Sequence, residues 1–375
     1  MYSDPLTEAI VEAERLVAAA PHIETEADLL EGLQYLAQGI AACTHVSFHY
    51  DRDHPFFLSG TGPFTKMGLD NPDTLYFGTR VRHGHEYVVS GVRGTTTDLS
   101  FQLLGGEYTD EGVPVSDAAF DDRELDIAAD GSFEWRFTPK NPAQLVVREV
   151  YGDWSQRRGT IAIKRVDSAG TAPPPLTREL IEKRYAAAGR QLVNRIKTWL
   201  QFPQWFYLNL PSNTLVPPRL TPGGLATQYS SVGHFDVTPD QALVITIPQS
   251  DAPYLGFQLG SLWYISLDYI NHQTSLNASQ AQADPDGKLR IVVADRSPGV
   301  TNWVETLGHR KGFLQFRWQR VSRELTGADG PTVELVDFDA VPAALPFYER
   351  NKITDEDWRE RIAQRQHAIA TRMLG

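Results

Sequence analysis

A five-residue segment in the first half of the sequence recurs in the second half. Leu99–Leu103 (LSFQL) recurs as Leu255–Leu259 (LGFQL), a spacing of 156 residues (257 minus 101 for the central Phe). Three matches follow in the same order: Asp130-Gly131 with Asp286-Gly287, Pro142 with Pro298, both at 156, and Arg157-Arg158-Gly159 with Arg310-Lys311-Gly312 at 153 (310 minus 157). Ordered matches with one small length change indicate a duplicated unit, and the shift predicts a three-residue deletion in the second copy.

Both copies lie in segments with the pattern of β-strands. The sequence from Leu75 onward is rich in Tyr, Val, Phe and Thr and contains turn signals such as His83-Gly84-His85. The duplicated unit is about 95 to 100 residues long. Units of that length with many short strands usually close as sandwiches or jelly rolls, because these arrangements limit exposed sheet edges. The predicted fold class is therefore mainly β with α: two tandem jelly-roll-like β-sandwich units linked by a long helix.

Helical periodicity flanks and separates the two units. Thr25 and Asp28 form a capping-box pattern before one apolar stripe, which is predicted to end near Cys43, and Thr177 precedes a second, longer stripe. The predicted divisions are a helical N-terminal segment and approach loop (1–69), a first β-sandwich unit (70–168), a linker helix with a Pro/Gly-rich connection (169–222), a second β-sandwich unit (223–338) and a C-terminal helix (339–375).

Composition narrows the classes of partner. The formal net charge is −12 and no run of Lys or Arg stands out, which argues against nucleic acid and against an anionic membrane surface. Cys43 is the only cysteine, so no internal disulfide is expected. No apolar stretch approaches the length of a membrane span and the acidic start does not resemble a signal peptide, so we expect a cytoplasmic protein.

A polar motif precedes the first unit and carries a family resemblance. Asp70-Asn71-Pro72-Asp73-Thr74-Leu75-Tyr76, with Asp286-Gly287, Pro298–Trp303 and Arg317-Trp318, resembles the uncharacterised 1214-type domain family. The resemblance implies a jelly-roll sandwich, often paired with a 1254-type sandwich, and no agreed catalytic residue. Val304-Glu305 follows Asn302-Trp303 here, where the family commonly has Leu-Pro. The positions that the resemblance selects are Asp70, Asn71, Asp73, Tyr76, Asn302, Trp303 and Arg317.

A cluster of polar residues before this motif suggests a metal site. His45 and His49 would share a face if they lay on a helix, and Asp51 lies nearby as a third ligand. However, Val46, Phe48 and Tyr50 favour a strand, on which the two imidazoles would be about 13 Å apart. We therefore favour surface histidines over a metal site.

Acid–base candidates come from both units. His272 follows an apolar run and has polar neighbours, and imidazole titrates near neutral pH. Asp70, Asp73 and Tyr76 are the acidic and phenolic candidates, although a sequence such as Asn-Pro-Asp more often builds a turn. Trp205 belongs to an aromatic stretch that forms either a seam between helix and sandwich or the wall of a pocket.

These residues suggest an enzyme acting on a small organic or sugar-like molecule. The predicted chemistry is hydrolysis, elimination or isomerisation by acid–base catalysis in a cleft between the two units. The catalytic candidates are Asp70, Asp73, Tyr76 and His272, and the substrate-binding candidates are Asn71, Asn302, Trp303, Arg317 and Trp205. No cofactor is expected, because the sequence has no phosphate-binding loop motif. The alternatives are a non-catalytic small-molecule or carbohydrate-binding protein and a structural homo-oligomer.

Overall fold

The computed structural model describes residues 1–109, 111–221 and 225–374. Within them the α-helices are α1 (Asp4–Ala18), α2 (Glu26–His49), α3 (Arg178–Phe206), α4 (Val341–Ala344) and α5 (Asp355–Leu374). The capping box before α2 is confirmed, because Thr25 accepts from the amide of Asp28 and the Asp28 carboxylate accepts from the amide of Thr25. The prediction that α2 ends near Cys43 is wrong, since the helix continues to His49.

Seven strands form two sheets in the first half of the chain. They are β1 (Thr74–Val81), β2 (Tyr87–Val92), β3 (Asp98–Gly105), β4 (Val115–Asp121), β5 (Ser132–Phe137), β6 (Ala143–Val150) and β7 (Thr160–Arg165). One sheet has the order β1-β6-β3-β4 and the other has the order β5-β2-β7. Phe101 and Val147 from the first sheet pack with Val89 and Phe133 from the second in one core, so the two sheets face each other.

The second half has a larger pair of sheets. Its strands are β8 (Arg219–Leu220), β9 (Tyr229–Asp236), β10 (Gln241–Ile247), β11 (Tyr254–Gly260), β12 (Ser275–Asn277), β13 (Leu289–Ala294), β14 (Trp303–Glu305), β15 (Lys311–Gln319) and β16 (Thr332–Asp337). The orders are β12-β11-β15-β9-β8 and β14-β13-β10-β16. Phe257 and Phe316 pack with Leu243 and Ile291 across the two sheets. The protein is mainly β, with several sheets of the β-sandwich class and helices around them.

The strand orders match between the two halves. The order β1-β6-β3-β4 corresponds to β9-β15-β11-β12, and β5-β2-β7 corresponds to β13-β10-β16. Phe101 and Phe257 lie in corresponding strands. Gly131 and Gly287 both have a positive φ, and each lies just before the next strand of the matched set. The spacing of 156 residues therefore describes corresponding positions as far as this turn.

Beyond the turn, the predicted three-residue deletion is wrong. Phe101 pairs with Val147, whereas Phe257 pairs with Phe316, so the spacing of their partners is 169 residues (316 minus 147). The second copy has instead gained 13 residues (169 minus 156), and this insertion contains β14, which has no counterpart. The Pro142–Pro298 match joins positions that are not equivalent, because Pro142 precedes β6 and Pro298 precedes β14. The match of Arg157–Gly159 with Arg310–Gly312 is not equivalent either, because the first precedes β7 and the second lies at the start of β15.

Helices cover the sheets on two sides. α1, α2 and α3 share an apolar core in which Val17, Leu36 and Ile196 are buried against Trp263 of the second unit. Gly32 of α2 lies against the Trp263 ring, and a Cβ there would come within 2.2 Å of it, so this contact requires glycine. α4 and α5 cover the outer face of β10 and β13. No helix among the described residues has the length and apolarity needed to cross a membrane.

Candidate functional site

A cavity of about 480 Å³ lies where both β units meet α2 and α3. We call it the central cavity. Its wall includes Tyr76 of β1, Arg148 of β6, Trp199 of α3 and Arg317 of β15, so both halves of the chain contribute to it. A volume in this range is typical of sites for small molecules. Cys43 of α2 also lines the cavity, and burial raises the pKa of its thiol.

Strand alternation places polar side chains on the cavity side of the sheets. Tyr76 is directly opposite Arg148 in the β1–β6 pairing, and Arg80 is opposite Gln144 four residues further along each strand. Residues two apart on a strand face the same way, so these side chains share one face. On β15 the same alternation gives the cavity Gln315, Arg317 and Gln319, whereas the neighbouring Phe316 and Trp318 enter the core.

The central cavity has far more cationic than anionic groups. Arg52, Arg80, Arg148, Arg195 and Arg317 line it, and Glu107 is the single carboxylate among its described lining residues. Glu107 lies 3.9 Å from Arg80 and is itself mostly exposed. Burial lowers the pKa of Arg80, and the Glu107 charge opposes this shift.

Three of these arginines, Arg148, Arg195 and Arg317, donate hydrogen bonds only to neutral oxygen atoms among the described residues. Arg148 donates to the side-chain oxygen of Gln102 at 2.8 Å, and Arg195 donates to the carbonyl oxygens of Thr65 and Lys66. Burial lowers the pKa of Arg148, which shows how poorly this position solvates a cation.

Arg317 donates to the side-chain oxygen of Gln258 and to the carbonyl oxygen of Leu69. Within the part of the chain that the structure describes, neither it nor Arg148 nor Arg195 forms an ion pair with a carboxylate. Buried charges are costly unless they are paired, so three cationic groups without a carboxylate partner among the described residues are a feature that needs a physical explanation.

Several buried polar atoms on the same wall lack hydrogen-bond partners. They include Nε of Arg195, whose side chain is only 6% exposed, and the indole nitrogen of Trp199. The side-chain oxygens of Gln315 and Gln319 also have no partner among the described residues. Buried polar atoms are nearly always satisfied in folded proteins, so a concentration of exceptions in one wall favours a ligand site.

One wall of the cavity is aromatic. The Trp199 ring lies 5.2 Å from the Tyr108 ring and 5.6 Å from the Tyr264 ring, and Phe202 adds a further ring. The predicted aromatic stretch at the end of α3 therefore contributes to a pocket wall through Trp199 and Phe202. Trp205 does not line this cavity and lies edge-on to Phe206 at 6.3 Å.

The polar motif before β1 instead joins the two β units. We call residues 70–73 the acidic loop. The Asp70 carboxylate accepts from the amide and the hydroxyl of Ser266, at 3.2 and 2.8 Å, and the Asn71 side-chain amide donates to the Tyr254 hydroxyl oxygen at 2.9 Å. Both side chains are buried. These contacts join the two β units over a long sequence distance, whereas the turn interpretation of the motif predicted bonds to nearby backbone amides.

Asp73 is the most heavily bonded member of the acidic loop. Its carboxylate accepts from the indole N–H of Trp154 at 2.5 Å, from the Tyr254 hydroxyl at 2.8 Å and from the Asn277 amide at 3.1 Å. The side chain is 2% exposed and does not line the central cavity. A carboxylate with this set of donors is committed to joining the units rather than to accepting a proton from a substrate.

Tyr76 is the member of the motif that reaches the central cavity. Its hydroxyl oxygen accepts from the amide of Asn71 at 2.8 Å, which orients the phenol. Burial raises the pKa of Tyr76 although the positive charge of Arg317 opposes the shift. The phenol is therefore protonated at neutral pH and can donate a hydrogen bond to an anion.

The remaining candidates of the second unit lie outside the central cavity. His272 is 43% exposed and its Nδ1 lies 3.0 Å from the Glu305 carboxylate. Asn302 donates to two backbone carbonyls, and Trp303 donates to the carbonyl of Ala294 and stacks on Trp358. The structure thus brings Tyr76 and Arg317 together and places His272, Asn302 and Trp303 elsewhere.

The predicted strand around His45 and His49 is wrong, because both residues lie in α2. Their rings are 5.2 Å apart, and burial lowers the pKa of His45, with the neighbouring His49 adding to the shift. Asp51 is engaged with the backbone amides of Asp53 and His54 instead. The three residues do not converge as a ligand set in the described part of the chain.

The side chains with converging metal-type ligand atoms are Asp98, Asp121 and Asp122. They are buried among arginines: Arg320 lies 3.0 Å from Asp122, and Arg123 donates to Asp121. Burial raises the pKa of Asp98 to about 7, with Arg320 opposing the shift. This is a charge network in which the arginines already balance the carboxylates.

Sequence patterns alone identified only part of the cavity wall. Arg148, Arg195 and Arg80 were not predicted, although one signal was available. Gln315, Arg317 and Gln319 alternate with Phe316 and Trp318, so a strand with an apolar inner face has polar residues on an outer face that is nevertheless buried. Such a face is unusual for a solvated sheet and is typical of a covered polar site.

Comparisons with known proteins support the fold. No family model and no curated protein matches the chain, so the 1214-type resemblance stays a prediction. The chain is similar to the crystal structure of an uncharacterized protein from Burkholderia cenocepacia, with 26% identity and a TM-score of 0.80 over 90% of this chain and 96% of that one. The VPA0106 protein from Vibrio parahaemolyticus aligns with 11% identity and a TM-score of 0.46 over 87% of this chain and 99% of that one, which is too low to carry an argument.

Proposed function

We propose that the chain binds a small organic anion in the central cavity. The observation that carries the proposal is the charge imbalance of the wall, where five arginines face one exposed carboxylate among the described residues. Guanidinium groups bind carboxylate and phosphate groups through paired N–H donors. An anion placed there supplies negative charge to Arg148, Arg195 and Arg317, which have no carboxylate partner among the residues that the structure describes.

The cavity wall also supports a ligand with an apolar part. Trp199 and Phe202 offer flat apolar faces, while the phenol of Tyr76 and the arginines offer donors. Small-molecule sites commonly combine apolar and aromatic walls with a few polar groups that fix orientation. The proposed ligand class is therefore an organic acid with an apolar or ring-containing body.

Acid–base catalysis on this ligand is the second candidate. Tyr76 is protonated and lies opposite Arg148 across the β1–β6 pair, so a proton donor stands beside a cation. That arrangement suits a reaction in which negative charge develops on an oxygen, as in elimination or isomerisation. Asp70 and Asp73 are engaged between the units, so Tyr76 replaces them as the acid in this candidate.

Finer architectural proposals accompany this function. The two pairs of sheets are proposed to be tandem jelly-roll-like sandwiches linked by α3, in a protein of the 1214-type family. A cytoplasmic location and a homo-oligomeric state belong to the same set of proposals, and light scattering of the purified protein tests the oligomeric state. None of these points is needed for anion binding.

A thermal-shift screen tests the proposed ligand class. We expect organic carboxylates to raise the unfolding midpoint, because a ligand that binds only the folded state stabilises it. Uncharged esters or amides of the same compounds are expected to have no effect. Arg148→Gln should abolish the shift, while Arg15→Gln, at an exposed position of α1, should preserve it. Stabilisation by the uncharged compounds alone, or shifts unchanged in Arg148→Gln, would contradict the proposal.

A further inference from the structure

A second cavity lies between α5 and the loop after β6. Its volume is about 780 Å³, and it is lined by residues of that loop, by α5 and by the turn after β12. It shares no lining residue with the central cavity. We call it the C-terminal cavity.

The C-terminal cavity is also cationic. Arg361, Arg365 and Arg372 reach it from α5, and Arg157 and Arg158 reach it from the loop. Asp153 is the single carboxylate among its described lining residues. This local excess of positive charge occurs in a chain whose formal net charge is −12.

Helix periodicity explains how α5 presents the arginines. Arg361 and Arg365 are one turn apart, and Arg372 follows seven residues after Arg365 (372 minus 365), which is close to two further turns. The three side chains therefore share one face of α5. The solvated face of the same helix carries Arg359, which is exposed.

Arg365 is buried without a carboxylate partner within ion-pair distance in the described residues. It donates to the carbonyl oxygens of Tyr269 and Ser275 and to the Ser275 hydroxyl, and its guanidinium lies 4.6 Å from the Trp154 ring. Burial lowers the pKa of Arg365 to about 9, with Asp73 opposing the shift. The neighbouring carboxylate of Asp73 already accepts three hydrogen bonds, so it does not serve as a direct partner.

Arg372 has unused donors in the same place. It is only 7% exposed, yet its Nε and Nη1 atoms have no hydrogen-bond partner among the described residues. Its remaining donor, Nη2, is bonded to the carbonyl oxygen of Pro72, and the guanidinium lies near the rings of Tyr151 and Trp154. Unsatisfied N–H donors on a buried guanidinium are costly, and each of them can donate to an anionic oxygen.

Exposed arginines extend the site toward solvent. Arg157 and Arg158 are exposed and form no ion pair in the described chain, and Arg158 lies 6.0 Å from the Phe77 ring. They stand at the mouth while Arg365 and Arg372 form the buried end. A ligand with negative charge at one end and polar groups beyond it would contact both sets.

We propose that the C-terminal cavity is a binding site for a phosphate-bearing small molecule. Arg372 binds the phosphate with its unused donors, Arg365 adds positive charge at the buried end, and Arg157 and Arg158 neutralise the remaining charge. Phosphate is favoured over a single carboxylate, because several guanidinium groups surround one end of the cavity and phosphate offers more acceptor oxygens and more charge. This site is independent of the function proposed for the central cavity.

Calorimetric titration with inorganic pyrophosphate tests this site on the full chain. We expect binding to the natural chain and to Arg148→Gln, because Arg148 belongs to the other cavity. Affinity should fall by at least about tenfold in Arg372→Gln and in the double variant Arg157→Gln/Arg158→Gln. The double variant changes only exposed side chains, so it keeps the test valid if Arg372→Gln does not fold. Arg359→Gln is the matched control on α5 and should bind like the natural chain.

The opposite outcomes overturn the proposal. Equal affinity in the natural chain and the double variant would place the anion elsewhere, and loss of binding in Arg148→Gln would place it in the central cavity. Absence of pyrophosphate binding by the natural chain at low salt would also contradict the proposal. A carboxylate such as citrate, titrated in parallel at the same ionic strength, should bind more weakly than pyrophosphate, and the reverse order would exclude phosphate as the preferred group.

Discussion

The acidic loop and the central cavity are both polar, both largely buried and both built where the two β units meet, yet they differ in how their charges are balanced. In the acidic loop, Asp70 and Asp73 accept hydrogen bonds from several donors. In the central cavity, Arg148 and Arg317 meet only neutral oxygens among the described residues.

This difference separates a structural role from a binding role. A satisfied buried network specifies how two surfaces fit together, and removing a member leaves several groups unpaired. A buried network with unsatisfied groups lowers the stability of the unliganded chain. A ligand that satisfies those groups restores the lost stability. We therefore assign the acidic loop to folding and propose the central cavity as the binding site, although the sequence motif pointed to the acidic loop.

The largest expected effect is on stability, from Asp73→Ala. The change leaves the donors of Trp154, Tyr254 and Asn277 unpaired, so the free energy of unfolding should fall by about 3–5 kcal/mol. Urea unfolding followed by fluorescence measures it. Asp73→Asn keeps an acceptor oxygen and should lose less. A loss below about 1 kcal/mol in Asp73→Ala would show that the acidic loop does not hold the units together.

Arg148→Met should leave the free energy of unfolding of the unliganded chain unchanged or raise it, while weakening anion binding. Arg148 is a partly buried cation with no carboxylate partner among the described residues, so replacing it with an apolar side chain of similar length should be neutral or stabilising for the unliganded chain. Affinity for an organic anion identified by screening should fall about tenfold or more, since hydrogen bonds to charged groups contribute about 1.5–3 kcal/mol. Parallel unfolding and titration experiments measure the two effects. A variant that binds normally but unfolds more easily would assign Arg148 to the structural class.

Gly78→Ala examines whether the cavity wall is fixed. A Cβ at this position would lie 2.5 Å from the Tyr50 hydroxyl and 3.2 Å from the Gln144 amide, so at least one side chain has to move. Overpacking of this kind costs about 1–3 kcal/mol. We expect a lower unfolding midpoint and weaker anion binding together. Unchanged binding would mean that Tyr50 and Gln144 move without disturbing the arginines.

The smallest predicted effect is a pH dependence of stability that arises at the contact between α2 and the second unit. Burial, the largest single influence, lowers the pKa of His309, but the hydrogen bond to Glu31 at 3.2 Å, the Glu31 charge, the Thr306 carbonyl and the Asp28 charge together raise the pKa above the ordinary value. A raised folded pKa gives stability that is fully present below the unfolded value of about 6.5 and is lost as pH rises through the folded value.

His309→Gln should remove this pH dependence. The natural chain is expected to lose about 1 kcal/mol or less between pH 6 and pH 9 through this group, and the variant should lose correspondingly less. Denaturant unfolding at several pH values measures the difference. Identical profiles for the two chains would show that the pair does not contribute to the contact of α2 with the second unit.

Local sequence signals predicted much of the fold. The capping pattern at Thr25 and Asp28 located the start of α2, and the repeat of Phe101 at Phe257 located corresponding strands. The end of the repeat was misplaced because a single Pro or a short basic turn carries little positional information. Only strand pairing reveals the insertion that contains β14.

Tertiary contacts decided the points that local signals missed. Val46, Phe48 and Tyr50 have strand-type side chains, yet α2 continues through His49, and Phe48 packs edge-on against Tyr185 of α3 at 4.9 Å. Packing overrides intrinsic propensity at such positions. The wall of the central cavity also depends on tertiary contacts. Arg148 of β6 and Arg195 of α3 are distant in sequence and line the same cavity only in the folded chain.

The most direct measurement is a crystal structure of the chain with an organic anion selected by the thermal-shift screen. We predict electron density in the central cavity, with the anionic group within hydrogen-bonding distance of Arg148 or Arg317 and the apolar part against Trp199. The acidic loop should keep its hydrogen bonds unchanged. An anion bound instead beside Asp73 or His272, with the central cavity empty, would contradict the assignment of function to the unpaired arginines.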